Sequence, residues 1–370
     1  MKVLVAPLDW GLGHATRCIP VVREFLRQGA QVELAVVESN ARLLRGAFPE
    51  LRQRIAPSYN IVYPRNAYNM GLWLFKNGMH LNMVARFEHK FAEELQKRFH
   101  YDLILSDNRF GFFSNAAKSI YMTHQRRIAF PKALSSFEPV GQMWHAAVMK
   151  RFDEIWVPDY EAAPGLAGGM SHVARSPKPL KFVGPLSRFS KMNFDCADGR
   201  NVAGEQGAKP RYKFVAVVSG VEPARGRFEH LLKQAFAKIP GNHVIIQGRP
   251  AAGVNSWTEG NIQFYTHLPD AEFADVVRNS EWLVSRGGYS TVMDMAYLGA
   301  KCVFVPTPGQ YEQDILAKEL SRSCYANRIS ERKLSAESLM DMIEKRPLVR
   351  IPSPPKESPL AAAVKSVMEG

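Results

Sequence analysis

A chain of 370 residues is long for a single hydrophobic core and suits two domains of ordinary size. With 46% hydrophobic and 22% charged residues it is neither disordered nor fibrous in make-up, and no apolar run approaches the ~20 residues a bilayer span needs. The net charge of +13 is uneven, with 24 Lys+Arg against 15 Asp+Glu in residues 1–184 and 24 against 20 in 185–370, which points to phosphate-bearing substrates or an anionic lipid surface as partners.

The run Lys2–Pro7, closed by Asp9, predicts a first strand rather than a secretory signal, so the chain is expected in the cytoplasm. Ala15–Gln28 has apolar residues at helical spacing and stops at Gly29, and Gln31–Val37 is the next strand. That strand–helix–strand order implies a parallel sheet. Asp102–Ser106, Ser119–Thr123 and Glu154–Pro158 predict further strands, and Val183-Gly184-Pro185 ends the series. The polar, glycine-bearing stretch Lys191–Arg211 reads as a connecting loop. A second series follows: strand Phe214–Ser219, helix Phe228–Ile239, strand His243–Gln247, then strand Glu281–Ser285, helix Thr291–Leu298 and strand Lys301–Pro306. Ala361–Met368 reads as a terminal helix. The expected domains are 1–186 and 187–350, with a tail over 351–370.

Cys18, Cys196, Cys302 and Cys324 lie far apart without a CxxC pair, which fits structural thiols in a reducing compartment and neither a disulfide framework nor a zinc site. Zinc-finger spacing, ribonucleoprotein aromatics and basic regions feeding heptads are missing, so nucleic acid is not an expected partner.

Gly11-Leu12-Gly13-His14-Ala15-Thr16-Arg17 falls between the first strand and the first helix. The glycines make either a plain tight turn or a close approach to a ligand, and the spacing is not that of a dinucleotide fingerprint. His14, at the carboxyl end of a strand, would stand within reach of a substrate hydroxyl. Ser285-Arg286-Gly287-Gly288-Tyr289-Ser290-Thr291 is a second strand-to-helix turn suited to phosphate or sugar. Asp294, expected on the first turn of the following helix, either binds ribose hydroxyls or stabilises the helix N-terminus. The loop Pro306–Asp314 offers amides and carboxylates to sugar hydroxyls, or is merely solvated. Met70–Met79, with Arg65, Lys76, Arg86 and Lys90 nearby, is either a membrane-surface patch or a core helix.

Taken together these motifs resemble the GT-B glycosyltransferases, and within them the branch related to MurG, the N-acetylglucosamine transferase of peptidoglycan synthesis. The likeness rests on GxGHxxR after the first strand, on Ser-Arg-Gly-Gly followed by an acidic residue, and on Pro-Gly-Gln-x-x-Gln. Thr123-His124-Gln125 stands where that branch has His-Glu-Gln, Gly184-Pro185-Leu186-Ser187-Arg188 resembles its Gly-Asn-Pro-x-Arg, and Ser219-Gly220 stands at its Ser-Gly-Gly turn. The matches keep their order from residue 3 to about residue 320. This chain differs in having Val221-Glu222-Pro223 after that turn, Asp294 in place of Glu, and no carboxylate in Thr123-His124-Gln125. Asp107-Asn108-Arg109-Phe110-Gly111 is not aligned with the branch.

The resemblance implies an α/β GT-B fold of two Rossmann-like parallel-sheet domains facing across a cleft, the first binding an acceptor and the second a nucleotide sugar. It implies transfer of a hexose or N-acetylhexosamine from a UDP-sugar to a hydroxyl by inverting displacement. The sequence contains no Asp-x-Asp triplet, so neither a metal nor another cofactor is expected. Arg188 and the backbone around Ser219, Gly220, Gly287 and Gly288 would then carry the diphosphate charge, with Arg286 among the donor-nucleotide contacts. Asp294 would hold the ribose, His267 and Leu268 the uracil edge, and Gln310 and Gln313 the donor sugar. His14 is the first choice of general base, being able to titrate near neutrality, and Asp107 the second. Gly11, Gly13, Arg17, Asn108, Thr123, His124 and Gln125 would line the acceptor side. A lipid-linked or glycan acceptor, and a peripheral position on the inner face of the cytoplasmic membrane, would follow. The alternatives are a nucleotide-sugar hydrolase or 2-epimerase on the same scaffold, and a non-catalytic subunit that recruits a transferase to the membrane.

Overall fold

The computed structural model describes residues 1–59, 70–128, 130, 132–190, 211–249, 253–349 and 351–369. Apart from Arg211, the connector Lys191–Arg211 lies outside the described residues. The chain forms two units, Met1–Arg188 with Pro354–Gly370, and Phe189–Ser353.

In the first unit, seven strands form one wholly parallel sheet: β1 (Lys2–Pro7), β2 (Gln31–Val36), β3 (Gln53–Ile55), β4 (Leu103–Asp107), β5 (Lys118–Met122), β6 (Glu154–Val157) and β7 (Leu180–Phe182). Helices α1 (Leu12–Arg27), α2 (Glu38–Ala47), α3 (Met70–Phe99) and α4 (Glu138–Met149) connect them. The apolar run of β1 is buried throughout Val3–Ala6, as a strand covered on both faces requires. The sheet order is β3-β2-β1-β4-β5-β6-β7, so the chain runs outward from β1 in one direction and resumes at β4 on the other side. Such a reversal is where open α/β sheets bind ligands, beyond the carboxyl ends of the strands. Pro7 and Asp107, the last residues of β1 and β4, are register partners there.

Gly11 has φ +96° and caps a helix that starts at Leu12, three residues earlier than the sequence spacing suggests. Gly13 and His14 therefore belong to α1, not to the loop expected. The loop after β4 is clamped from beneath. Arg109 Nε donates to Glu88 Oε1 on α3 at 2.6 Å, and both side chains are fully buried. Gly111 N–H donates to Glu88 Oε2 at 3.0 Å, and Arg109 Nη1 donates to Pro7 O at 3.3 Å.

The second unit is built from β8 (Tyr212–Val217), α5 (Ala224–Phe236), β9 (His243–Ile246), β10 (Ser256–Glu259), β11 (Ile262–Tyr265), α6 (Asp270–Arg278), β12 (Ser280–Ser285), α7 (Tyr289–Leu298), β13 (Cys302–Phe304), α8 (Tyr311–Arg322), β14 (Ala326–Arg328) and α9 (Ala336–Lys345). Its sheet order is β10-β11-β9-β8-β12-β13-β14, parallel except for β10 against β11. Phe214, Phe228, Phe236, Ile245 and Val284 form part of one buried core between the sheet and its helices. The reversal falls between β8 and β12, with Val217 beside Ser285. Helix α7 begins at Tyr289, so Asp294 lies in its second turn and not in the first, and the helix-N-terminus alternative for this acid does not apply. The last helix, α10 (Pro359–Glu369), joins the first unit, where Gln28 Nε2 donates to Ala361 O at 3.0 Å.

Candidate active site

In the first unit the structure gathers four residues that the sequence singles out. His14 and Arg17 lie one helical turn apart on α1, so they share a face. Asp107 ends β4 and His124 follows β5, so strand order brings both beside that face. Arg17 Nε lies 2.9 Å from each Asp107 oxygen, and its Nη2 also reaches Oδ1. Its Nη1 donates to His124 Nδ1 at 3.3 Å. His14 Nδ1 sits 3.0 Å from Asp107 Oδ2 and 2.8 Å from Arg17 Nη2.

Nδ1 of His14 can take only one role between a carboxylate and a guanidinium. Where Nδ1–H donates to Asp107, a lone pair is left on Nε2. Burial alone would push the Asp107 carboxyl up, but Arg17 and His14 outweigh it and hold it down at about 2. Burial and the positive charge of Arg17 together lower His14, which keeps its imidazole neutral near pH 7. An ionised carboxylate behind a neutral imidazole is the makings of a general base.

Other candidates lie in the same unit. Asn108 is buried with φ +59°, and Tyr121 donates to its Oδ1 at 3.1 Å. Thr123 is buried, with its hydroxyl accepting from Gln125 N–H at 3.0 Å. Gly11 carries the positive φ that starts α1, and Arg188 is the last residue of this unit. Sequence reasoning read Cys18 only as a structural thiol, yet its sulfur lies 3.7 Å from Asp107 Oδ2, and it passed over His145, 3.3 Å from the Tyr121 hydroxyl. Cys18 is one residue from Arg17 on α1, a signal that could have flagged it. His145 is brought in by tertiary packing alone.

In the second unit, Ser219 and Gly220 follow β8, and Arg286, Gly287 and Gly288 follow β12, on either side of the reversal. Gly220 has φ +104°. The Glu222 carboxylate is turned onto its own helix, accepting from Gly226 N–H at 3.0 Å and Arg225 Nε at 2.8 Å. The Arg286 guanidinium, expected among the donor-nucleotide contacts, is turned into the protein interior. It is 2% exposed, donates to Glu331 at 2.6 Å and to Val305 O at 3.0 Å, and lies 3.9 Å above the Phe228 ring. Burial drives this inward pairing, because a guanidinium beneath the sheet end needs a carboxylate. Gln313 Oε1 accepts from Thr307 N–H at 2.9 Å and so fixes the loop before α8, with Gln310 at its cap. His267 and buried Leu268 lie between β11 and α6. Among the described residues no group of three or more His, Cys, Asp or Glu side chains could hold a metal ion, and no helix is long and apolar enough to cross a membrane.

Two Rossmann-like units of this kind are the architecture of the GT-B glycosyltransferases. Residues 215–359 match the family model of the glycosyltransferase family 28 C-terminal domain. An uncharacterized glycosyltransferase of Methanosarcina acetivorans is 24% identical over 348 residues, covering 89% of this chain and 84% of that protein. A UDP-N-acetylglucosamine–N-acetylmuramyl-(pentapeptide) pyrophosphoryl-undecaprenol N-acetylglucosamine transferase of Chelativorans sp. is 34% identical over 106 residues, 28% of this chain and 26% of that protein. The solved glycosyltransferase SnogD from Streptomyces nogalater superposes with a TM-score of 0.62 at 14% identity, over 100% of both chains. The chain is a glycosyltransferase of GT-B type.

Proposed function

We propose that this glycosyltransferase moves a hexosyl or N-acetylhexosaminyl group from a UDP-sugar to an acceptor hydroxyl by one inverting displacement that requires no metal ion. The observation that carries this reading is His14 Nδ1 at 3.0 Å from the ionised Asp107. In this mechanism His14 Nε2 takes the proton of the acceptor hydroxyl. The freed oxygen attacks the anomeric carbon from the face opposite the diphosphate, and the bond from that carbon to the diphosphate oxygen breaks. Asp107 stabilises the imidazolium that results, while Arg17 holds Asp107 in place. In the second unit the backbone N–H groups of Gly287 and Gly288, at the start of α7, take the departing charge together with those of Ser219 and Gly220. Asp294 takes the ribose and Gln310 the donor sugar. The partial relative from Chelativorans, whose name includes UDP-N-acetylglucosamine, favours UDP over other bases.

The acceptor is proposed to be presented at an anionic membrane surface. Met83 and Phe87 on α3, and Phe137, Val140 and Met143 at α4, are exposed, each by half or more. Trp144 Nε1 donates to Asn82 Oδ1 at 3.0 Å and ties the two helices together. Arg86 and Lys90 are exposed on the same stretch of α3. Apolar and basic groups together are what reversible lipid binding needs. The side chains of Met70–Asn77, which include Trp73, and Arg65 lie outside the described residues.

The test is calorimetry with UDP, dTDP, GDP, ADP and NAD against wild type and Asp294→Ala without metal, followed by turnover of His14→Ala. Selective UDP binding lost in Asp294→Ala, with turnover of His14→Ala down about 10²–10⁴-fold, is expected. Near-normal turnover of His14→Ala would remove the base from this scheme.

A further inference from the structure

Asp9 and Trp10, between β1 and the cap of α1, have no part in the chemistry above. Asp9 Oδ2 accepts from Tyr59 N–H at 2.9 Å and from the Ser58 hydroxyl. Its other oxygen, Oδ1, is buried and finds no hydrogen-bond partner among the described residues, and the same holds for Trp10 Nε1. An orphaned buried acceptor or donor destabilises the fold, so a fold carrying both on consecutive residues calls for an explanation. An unmet acceptor and an unmet donor on consecutive residues are together the complement of a hydroxyl, which gives one hydrogen bond and takes another.

The surroundings fit the remainder of a sugar ring. Trp10 meets Tyr59 edge-to-face at 6.1 Å and Phe110 at 6.3 Å, and Phe110 meets Trp144 at 5.0 Å. Tyr59 and Phe110 are buried, whereas Trp10 and Trp144 keep part of their surface in water. The buried rings thus hold two half-exposed indoles rigidly, and an indole face packs well on the C–H face of a pyranose. A carboxylate at this point repels a phosphate, so the moiety bound here is uncharged or cationic. The location is the carboxyl end of β1 at the strand reversal, on the segment that leads directly into His14.

We propose that Asp9 and Trp10 form the acceptor subsite, binding a neutral pyranose through a hydroxyl shared between Asp9 Oδ1 and Trp10 Nε1 and directing a neighbouring hydroxyl to His14. Because Trp10 is only partly buried, a small turn of its ring admits the sugar. This assignment rests on the transferase reading above, and it specifies a saccharide acceptor rather than a bare lipid phosphate.

The test uses the full chain and the methyl glycosides of glucose, galactose, mannose and N-acetylglucosamine, followed by saturation-transfer NMR and tryptophan emission. At least one glycoside is expected to bind saturably. Asp9→Asn, which keeps shape but removes charge, should weaken it at least about tenfold, and Trp10→Phe, which keeps the ring but removes the N–H, should weaken it and abolish the emission change. UDP affinity should stay unchanged in both. If Asp9→Asn does not fold, Trp10→Phe decides alone. Wild type that binds none of the four, or variants that bind as wild type does, would overturn the subsite. Glycoside binding without any nucleotide binding would instead count against the donor reading and leave the subsite standing.

Discussion

Arg17 Nε lies 2.9 Å from each carboxylate oxygen of Asp107, and neither side chain is more than 2% exposed. Removing one partner from such a pair strands the other charge in a dry interior, at a cost of about 3–5 kcal/mol. Arg17→Met is therefore expected to lose that much stability, whereas Arg17→Met with Asp107→Leu should recover most of it. Urea unfolding of both variants decides the matter: equal losses would mean that a stranded Asp107 charge is not what destabilises Arg17→Met.

Acid should begin to destabilise the protein below about pH 6.5, above the usual carboxylate range. Burial holds His145 down at about 4, against an ordinary 6.5. The native state therefore binds fewer protons than the unfolded chain in this range. The resulting stability is fully present above pH 6.5 and is lost as pH falls through about 4, amounting to about 3 kcal/mol. His14 is lowered too and adds to the same trend, while Asp107 at about 2 acts only at lower pH. His145→Gln should flatten the fall in unfolding free energy between pH 6.5 and 4. A slope identical to wild type would show that burial of this ring is not its source.

Gly111 allows the closest backbone approach in the first unit. A Cβ there would lie 1.8 Å from Ala85 O on α3, and a helix backbone cannot yield by that much. Gly111→Ala is expected to cost about 3 kcal/mol, at the top of the usual overpacking range. It should also disturb turnover, because the same loop begins at Asp107. A variant as stable as wild type in urea would contradict the close approach.

Phe87→Glu with Met143→Glu replaces two exposed side chains, so stability should change by no more than about 0.5 kcal/mol. Binding to phosphatidylglycerol vesicles should nevertheless fall about tenfold or more, and added salt should weaken the wild-type interaction. Vesicle sedimentation provides the measurement. Wild type that stays in the supernatant at low salt would dismiss the membrane-presented acceptor.

Much of the fold was legible in the primary structure. Runs such as Val3–Ala6 and Leu283–Val284 are buried strands, and a strand–helix–strand alternation allows few topologies. Helix starts were less legible. The spacing places the first start at Ala15 and the later one at Thr291, whereas Gly11 and Gly288 cap helices that begin at Leu12 and Tyr289. Apolar periodicity fades in a first turn that faces a site, so pattern alone starts such helices late. Arg286 shows the opposite limit: its place in a glycine-rich turn suggests a phosphate contact, and only the packed structure reveals Glu331 beneath it.

The sequence by itself determined that the chain has two α/β halves with glycine-bearing strand-to-helix turns, because hydrophobic period and glycine placement are local properties. Only the tertiary structure decided that His14, Arg17, Asp107 and His124 form one group, and that Asp9 and Trp10 keep unmet polar atoms. Those relations depend on β1 and β4 lying side by side although about a hundred residues separate them, and on which charges the core leaves in contact. No local pattern encodes that pairing; the folded sheet does.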